Sequence, residues 1–185
     1  MAKQIPTGLE GLSVLVIDDH KGMRDIISTV LSGLGVGKIT AVPGSNAALS
    51  EMQHCPPDII LLDRMLDGQD GLRFVRYIRA LPDSQNPFVP IILVTGHGEY
   101  ARVVQARDAG VTEFLVKPLT TLAVAQRLET IIHHPRPFVR CRTYIGPDRR
   151  RQERPFDGPD RRNRAAAALE QPQVERVTEE PRDDR

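Results

Sequence analysis

The sequence predicts an α/β fold, a doubly wound parallel sheet of five strands with helices on both faces. Three observations carry that expectation. Five short aliphatic runs lack polar alternation, as strands buried on both faces do. Segments of helical period separate them. The spacing is that of strand–helix–strand units, which place successive strands parallel.

The runs are "SVLVI" (13–17), "KITAV" (38–42), "DIILLD" (58–63), "PIILVT" (90–95) and "EFLVK" (113–117). The first helical stripe is Ile26, Ile27, Val30, Leu31 and Leu34, closed by Gly33, Gly35 and Gly37. Ala47, Ala48, Leu49 and Met52 form the second, with Ser45 or Asn46 as its N-cap. Leu72, Val75, Ile78 and Leu81 form the third, which Pro82 ends. A more polar helix around 99–109 carries Val103, Val104 and Ala106. The last, Leu122, Ala125, Leu128, Ile131 and Ile132, stops before Pro135 and ends on His133-His134.

Charge divides the chain. Residues 1–135 hold 12 Lys+Arg and 14 Asp+Glu, a net of −2; residues 136–164 hold 10 Arg and 4 acids, a net of +6; residues 165–185 hold 3 Arg and 6 acids, a net of −3. Nearly all the periodic apolar pattern lies in the first region. The expected organisation is one domain over 11–134, an Arg/Pro-rich tail over 135–164 and an acidic end over 165–185, the last two largely disordered. Two cysteines, Cys55 and Cys141, make no disulfide framework. Without a secretory pattern or a long apolar run, the expected location is the cytoplasm, with no membrane insertion.

Chemistry gathers at the strand ends. The first run closes on Asp18-Asp19, the third on Asp63, the fourth on Thr95-Gly96 and the fifth on Lys117-Pro118. In open α/β sheets ligands bind beyond the carboxyl ends of the strands. Should the first and third strands be neighbours, three carboxylates share one crevice. Two like charges 4 Å apart repel by roughly 4 kcal/mol at an effective dielectric near 20. Such a cluster needs a cation or a shared proton. Oxygen ligands with a wet mouth favour Mg²⁺, and Lys117 adds a fixed positive charge. This set suits a phosphoryl group held on a carboxylate. Asp63 would be the nucleophile, with Asp18, Asp19, Asp63 and the Met65 backbone carbonyl around Mg²⁺, and Thr95 and Lys117 on phosphoryl oxygens. Aspartate-nucleophile phosphatases place a second Asp two residues on; here that position is Met65, so the hydrolase reading loses and the chain is not expected to be an enzyme.

"IDDH", "LLDRMLDGQDG", "LVTGHG" and "EFLVKPL", in this order, resemble the receiver domain of bacterial two-component response regulators, of the chemotaxis-regulator type. The resemblance covers about 11–134. It implies a flavodoxin-like sheet of order 2-1-3-4-5, Asp63 as phosphoacceptor, Asp18 and Asp19 as the acidic pair, Thr95 as switch hydroxyl, Lys117 as the family lysine and Phe114 as switch aromatic. It also implies a cis Lys117-Pro118 bond and a place in a phosphorelay, with a histidine kinase or histidine phosphotransfer protein as donor and a protein target, or a phosphorylation-dependent dimer, as output. Three features depart from the family. Asp67 stands where many receivers have proline, Gly96 where alanine is usual, and Met65 and His97 occupy positions that tune phosphoryl lifetime. Asp67 and Asp70 read as an ordinary turn, with Gly68 and Gly71 supplying φ > 0. His20 and His97 share no metal-ligand pattern.

The tail repeats itself with a period of twelve: "YIGPDRRR" (144–151) and "FDGPDRRN" (156–163). Each unit offers a ring, a Gly-Pro-Asp turn and paired guanidiniums. Arg149, Arg150, Arg161 and Arg162 are therefore candidates for a cyclic dinucleotide, RNA or an acidic protein surface. A preference for Arg over Lys of 21 to 4 across the chain weakens that reading.

Overall fold

The computed structural model describes residues 8–66, 68–80, 86–96, 100–141 and 144–149, without side chains at 100–102. β1 (Ser13–Ile17), β2 (Lys38–Val42), β3 (Ile59–Asp63), β6 (Ile91–Thr95) and β7 (Glu113–Val116) form one sheet. Its order is β2-β1-β3-β6-β7, with every pairing parallel. This is the 2-1-3-4-5 arrangement expected. β1, β3 and β6 are buried almost throughout, as their unbroken aliphatic runs require. Edge strand β2 stays half exposed and opens on Lys38, a charge that discourages pairing with another chain.

Among the described residues five helices cover the sheet: α1 (Lys21–Gly33), α2 (Ser45–His54), α3 (Leu72–Ala80), α4 (Tyr100–Ala109) and α5 (Thr121–His133). Strand alternation sorts the core into two layers. Val14, Val16, Ile59 and Leu61 face α1 and α5, meeting Ile27, Leu31, Val124 and Leu128. Leu15, Ile17, Ile60 and Leu62 face Ala48 of α2, Val75 and Ile78 of α3 and Ala106 of α4.

Several local expectations need correction. Ile26, Leu122 and Ile132 belong to the apolar stripes by spacing but remain 52%, 54% and 37% exposed. The sheet is narrower than the stripe, so one edge of each helix faces outward. α2 is capped by Gly44, not Ser45 or Asn46. Leu81 lies outside the described residues.

The stretch after β3 makes a small antiparallel pair, β4 (Met65–Leu66) with β5 (Gln69–Asp70). Gly68 has the expected positive φ, +74°. Gly71 does not, and it is glycine for another reason: a Cβ there would strike the Asp63 carbonyl oxygen. Its N–H donates to the Arg64 carbonyl at 2.7 Å, drawing the chain back onto the end of β3. Asp70 does more than turn the chain. Its Oδ1 accepts the Leu72 N–H at 2.9 Å, at the start of α3, and its Oδ2 lies 3.2 Å from Arg64 Nη2.

The folded part runs past residue 134. β8 (Phe138–Cys141) and β9 (Tyr144–Pro147) form an antiparallel hairpin against α3 and α4. The first tail unit therefore belongs to the globule up to Arg149. The second unit, with Arg161 and Arg162, Arg150 of the first, and the acidic end lie outside the described residues. Among the described residues no helix is long and apolar enough to cross a membrane.

Candidate functional site

The parallel sheet delivers Asp18, Asp63, Thr95 and Lys117 to one end. Asp63 closes β3 and pairs in register with Val94, next to Thr95. The Lys117 N–H donates to the Thr95 carbonyl at 2.8 Å, and its peptide bond to Pro118 is cis, as the resemblance implied.

Lys117 joins the acids. Its Nζ lies 2.7 Å from Asp63 Oδ1 and 3.5 Å from Asp18 Oδ2. Asp18 is 1% exposed and Asp63 is 8% exposed. The second oxygen of Asp63 accepts the Met65 N–H at 3.2 Å, which ties the nucleophile candidate to the loop behind it. Asp18 Oδ1 accepts the His20 N–H at 2.8 Å.

Sequence reasoning missed one contributor, Arg24, and set another, His20, aside. Arg24, one turn into α1, donates from Nη1 to the carbonyls of Asp18 at 2.7 Å and Asp19 at 3.1 Å. It thereby fastens the acidic turn from below. His20 comes close to the acids. Its Nδ1 is 3.1 Å from Asp19 Oδ1, and one ligand atom each from Asp18, Asp19 and His20 lies within 4.8 Å of the others. An i, i+6 Arg and a histidine beside two acids are weak signals in sequence, because only the strand–helix turn brings them together.

Electrostatics follow burial. Desolvation, helped by the nearby Asp63 charge, raises the Asp18 carboxyl above the usual carboxylate range against the pull of the His20 N–H and Lys117. Burial alone would depress the Lys117 ammonium. The hydrogen bond and charge of Asp63, with those of Asp18, outweigh it and the net shift is upward. Three carboxylates and one ammonium leave the cluster two charges negative. Hard oxygen donors around a residual charge of −2 fit a divalent cation such as Mg²⁺.

Burying Asp18 as an anion carries a cost, so Asp18→Asn should raise the melting temperature in EDTA by roughly 2–4 °C. Added Mg²⁺ should then stabilise the substituted chain less than the original. Calorimetry with and without Mg²⁺ decides; a lower melting point in EDTA would contradict this account.

Phe114 and Arg149 lie apart from this contact, whereas Met65 touches it through its backbone N–H. Phe114 is half-buried, packed on the α2–α4 layer, and its carbonyl accepts Arg127 Nε at 2.8 Å. Met65 is 50% exposed. Asp67 and His97 lie outside the described residues. Arg149 sits at the far end of the sheet, 3.4 Å from Asp108.

Residues 14–129 match the family model of the response regulator receiver domain. Chemotaxis protein CheY1 of Helicobacter pylori is 30% identical over 122 residues, covering 65% of this chain and 97% of that protein. Chemotaxis protein CheY of Pseudomonas aeruginosa is 28% identical over 120 residues, 65% of this chain and 95% of that one. The solved structure of chemotaxis protein CheY4 of Vibrio cholerae superposes with a TM-score of 0.60 at 26% identity, covering 65% of this chain and 98% of its own. With the sheet order, the strand-end acids and a match running from β1 into α5, the chain belongs to the response regulator receiver domain family of two-component systems.

Proposed function

We propose that this chain accepts a phosphoryl group on Asp63 from a phosphohistidine of a kinase or phosphotransfer protein. The observation that carries the reading is the 2.7 Å contact between Lys117 Nζ and Asp63 Oδ1. It leaves Oδ2, which accepts the Met65 amide, as the oxygen to attack phosphorus. The O–P bond forms as the P–N bond to the donor imidazole breaks, and the imidazole leaves as the base. Lys117 is already protonated and turns from Asp63 toward a phosphoryl oxygen, with the Thr95 hydroxyl on another. Asp18, Asp19, Asp63 and the Met65 carbonyl would hold Mg²⁺, which neutralises charge on the transferring group.

Phe114 and Thr95 lie on adjoining strands, so a change at the Thr95 hydroxyl has a short route to the β7 surface. Val116 and Leu122 are 51% and 54% exposed nearby and offer an apolar contact for a protein target or a second copy. The chain acts in this reading as a phosphorylated relay in the cytoplasm and not as an enzyme. A tail that binds nucleotide or RNA is less favoured, since the Arg149 guanidinium is taken up by Asp108 and by the Tyr144 ring.

Incubation with acetyl phosphate tests the proposal. Intact-mass spectrometry should show one added phosphoryl group with Mg²⁺ and none in EDTA. Equal labelling in both would remove Mg²⁺ from the reading, and no labelling in either would sink it.

A further inference from the structure

The described residues of the first repeat unit, 144–149, pack at the far end of the sheet from the phosphoacceptor site, where β9 lies against α3 and the C-terminal end of α4. The Tyr144 ring carries the Arg149 guanidinium 3.9 Å from its centroid, and its hydroxyl donates to the Pro147 carbonyl at 2.7 Å. Arg149 also pairs with Asp108 at 3.4 Å. Gly146 lies so close to α4 that a Cβ on it would stand 2.8 Å from the Gly110 Cα. Pro147 is buried opposite Phe138. The Asp148 N–H donates to the Pro137 carbonyl at 2.7 Å, and the Asp148 carbonyl accepts from Arg136.

These are the residues that the second unit keeps. Phe156 retains the ring, Gly158 the close approach, Pro159 and Asp160 the turn, and Arg161 the guanidinium. The interior difference, Ile145 against Asp157, falls where the contact to Gly110 is made by a backbone carbonyl. The other difference removes only the phenol hydroxyl.

We infer that Arg107, Asp108 and Gly110, at the end of α4, form a docking seat for this motif, and that the second unit, Phe156–Arg161, exchanges with the first on the seat of its own chain. One chain thus carries two ligands for one seat. The six residues between the units hold the second at an effective concentration on the order of millimolar, which favours exchange within a chain over seating on another copy. The missing hydroxyl leaves the second unit roughly two- to tenfold weaker, so the first is the resident. Exchange releases the Arg149 guanidinium from Asp108 and Tyr144. The two states therefore differ in which arginines an anionic partner can reach.

Cross-linking tests the exchange in the full chain with Cys55→Ser and Cys141→Ser. Asp108→Cys is combined with Arg161→Cys and treated with a short bismaleimide. This background lacks the Asp108 pair and costs the second unit its guanidinium as well, so the readout is the change in yield between variants and not its absolute level. Gly146→Ala, which the Gly110 contact cannot accommodate, should raise the 108–161 product about tenfold, all of it in monomer. Arg149→Ser, which leaves the backbone alone, should raise it in the same direction should Gly146→Ala disturb the fold. Adding Gly158→Ala should return the product to background. A yield that neither Gly146→Ala nor Arg149→Ser raises would overturn the inference. Product confined to covalent dimer would overturn it too and assign the second unit to another copy.

Discussion

Asp63→Asn should leave a folded chain that takes no phosphoryl group from acetyl phosphate and Mg²⁺. The expected loss in labelling rate is about a hundredfold or more, bounded by detection, because the attacking oxygen itself is removed. The amide oxygen can still accept from Lys117, which lies 2.7 Å from Asp63 Oδ1, so the sheet end keeps its cross-link. Thermal melting should therefore move little while labelling disappears. Peptide mapping of the original chain should place the modification on Asp63. Full labelling of the substituted chain would show that another carboxylate, with Asp18 or Asp19 the nearest, accepts the group.

The second large effect lies at the opposite end of the sheet. Arg79 is 3% exposed within an apolar helix face. Its guanidinium donates to Pro87 at 2.7 Å, to Val89 at 2.8 Å and to Gly110 at 3.1 Å and 3.2 Å, and it stacks 5.1 Å from the Phe138 ring centroid. Burial pushes its pKa down to about 9, so the group remains charged at neutral pH, and the three carbonyls offset the cost of burying it. Arg79→Ala leaves those carbonyls unpaired and opens a void. We expect a loss of about 3–5 kcal/mol, a fall in melting temperature on the order of 10 °C. Arg79→Lys should recover only part, since one ammonium cannot reproduce the fork. Hydrogen exchange should show β8 and β9 losing protection first. A melt within a degree of the original, with the hairpin still protected, would contradict this account.

The two ends of the molecule differ in how much of them can be read in advance. The strands are legible because a strand buried on both faces must be a short unbroken aliphatic run, and β1 and β2 match their runs residue for residue. The acids and Lys117 are legible because parallel topology carries every strand end to the same side. Arg24 and His20 are not, since their contribution depends on how α1 leaves β1. The hairpin is harder still. "FVRC" and "YIGP" have no period, and an arginine interrupts the first. What orders them is a glycine-to-glycine approach between Gly146 and Gly110 and a ring over Arg79, contacts made across more than thirty residues. One clue stands in the sequence: Arg79 directly follows Ile78, which packs in the α2–α4 layer, and a buried guanidinium must find partners.

Phe138 also bears on what counts as the unit of this protein. The match to the family model ends at residue 129, inside α5, whereas the ring that covers Arg79 comes nine positions later. The stretch that the family model matches is therefore shorter than the stretch that packs together. A fragment trimmed to the shared length would keep every phosphoryl-handling residue and lose the lid over its own buried charge, so a poor yield from such a fragment would speak of a misplaced boundary and not of a defective receiver.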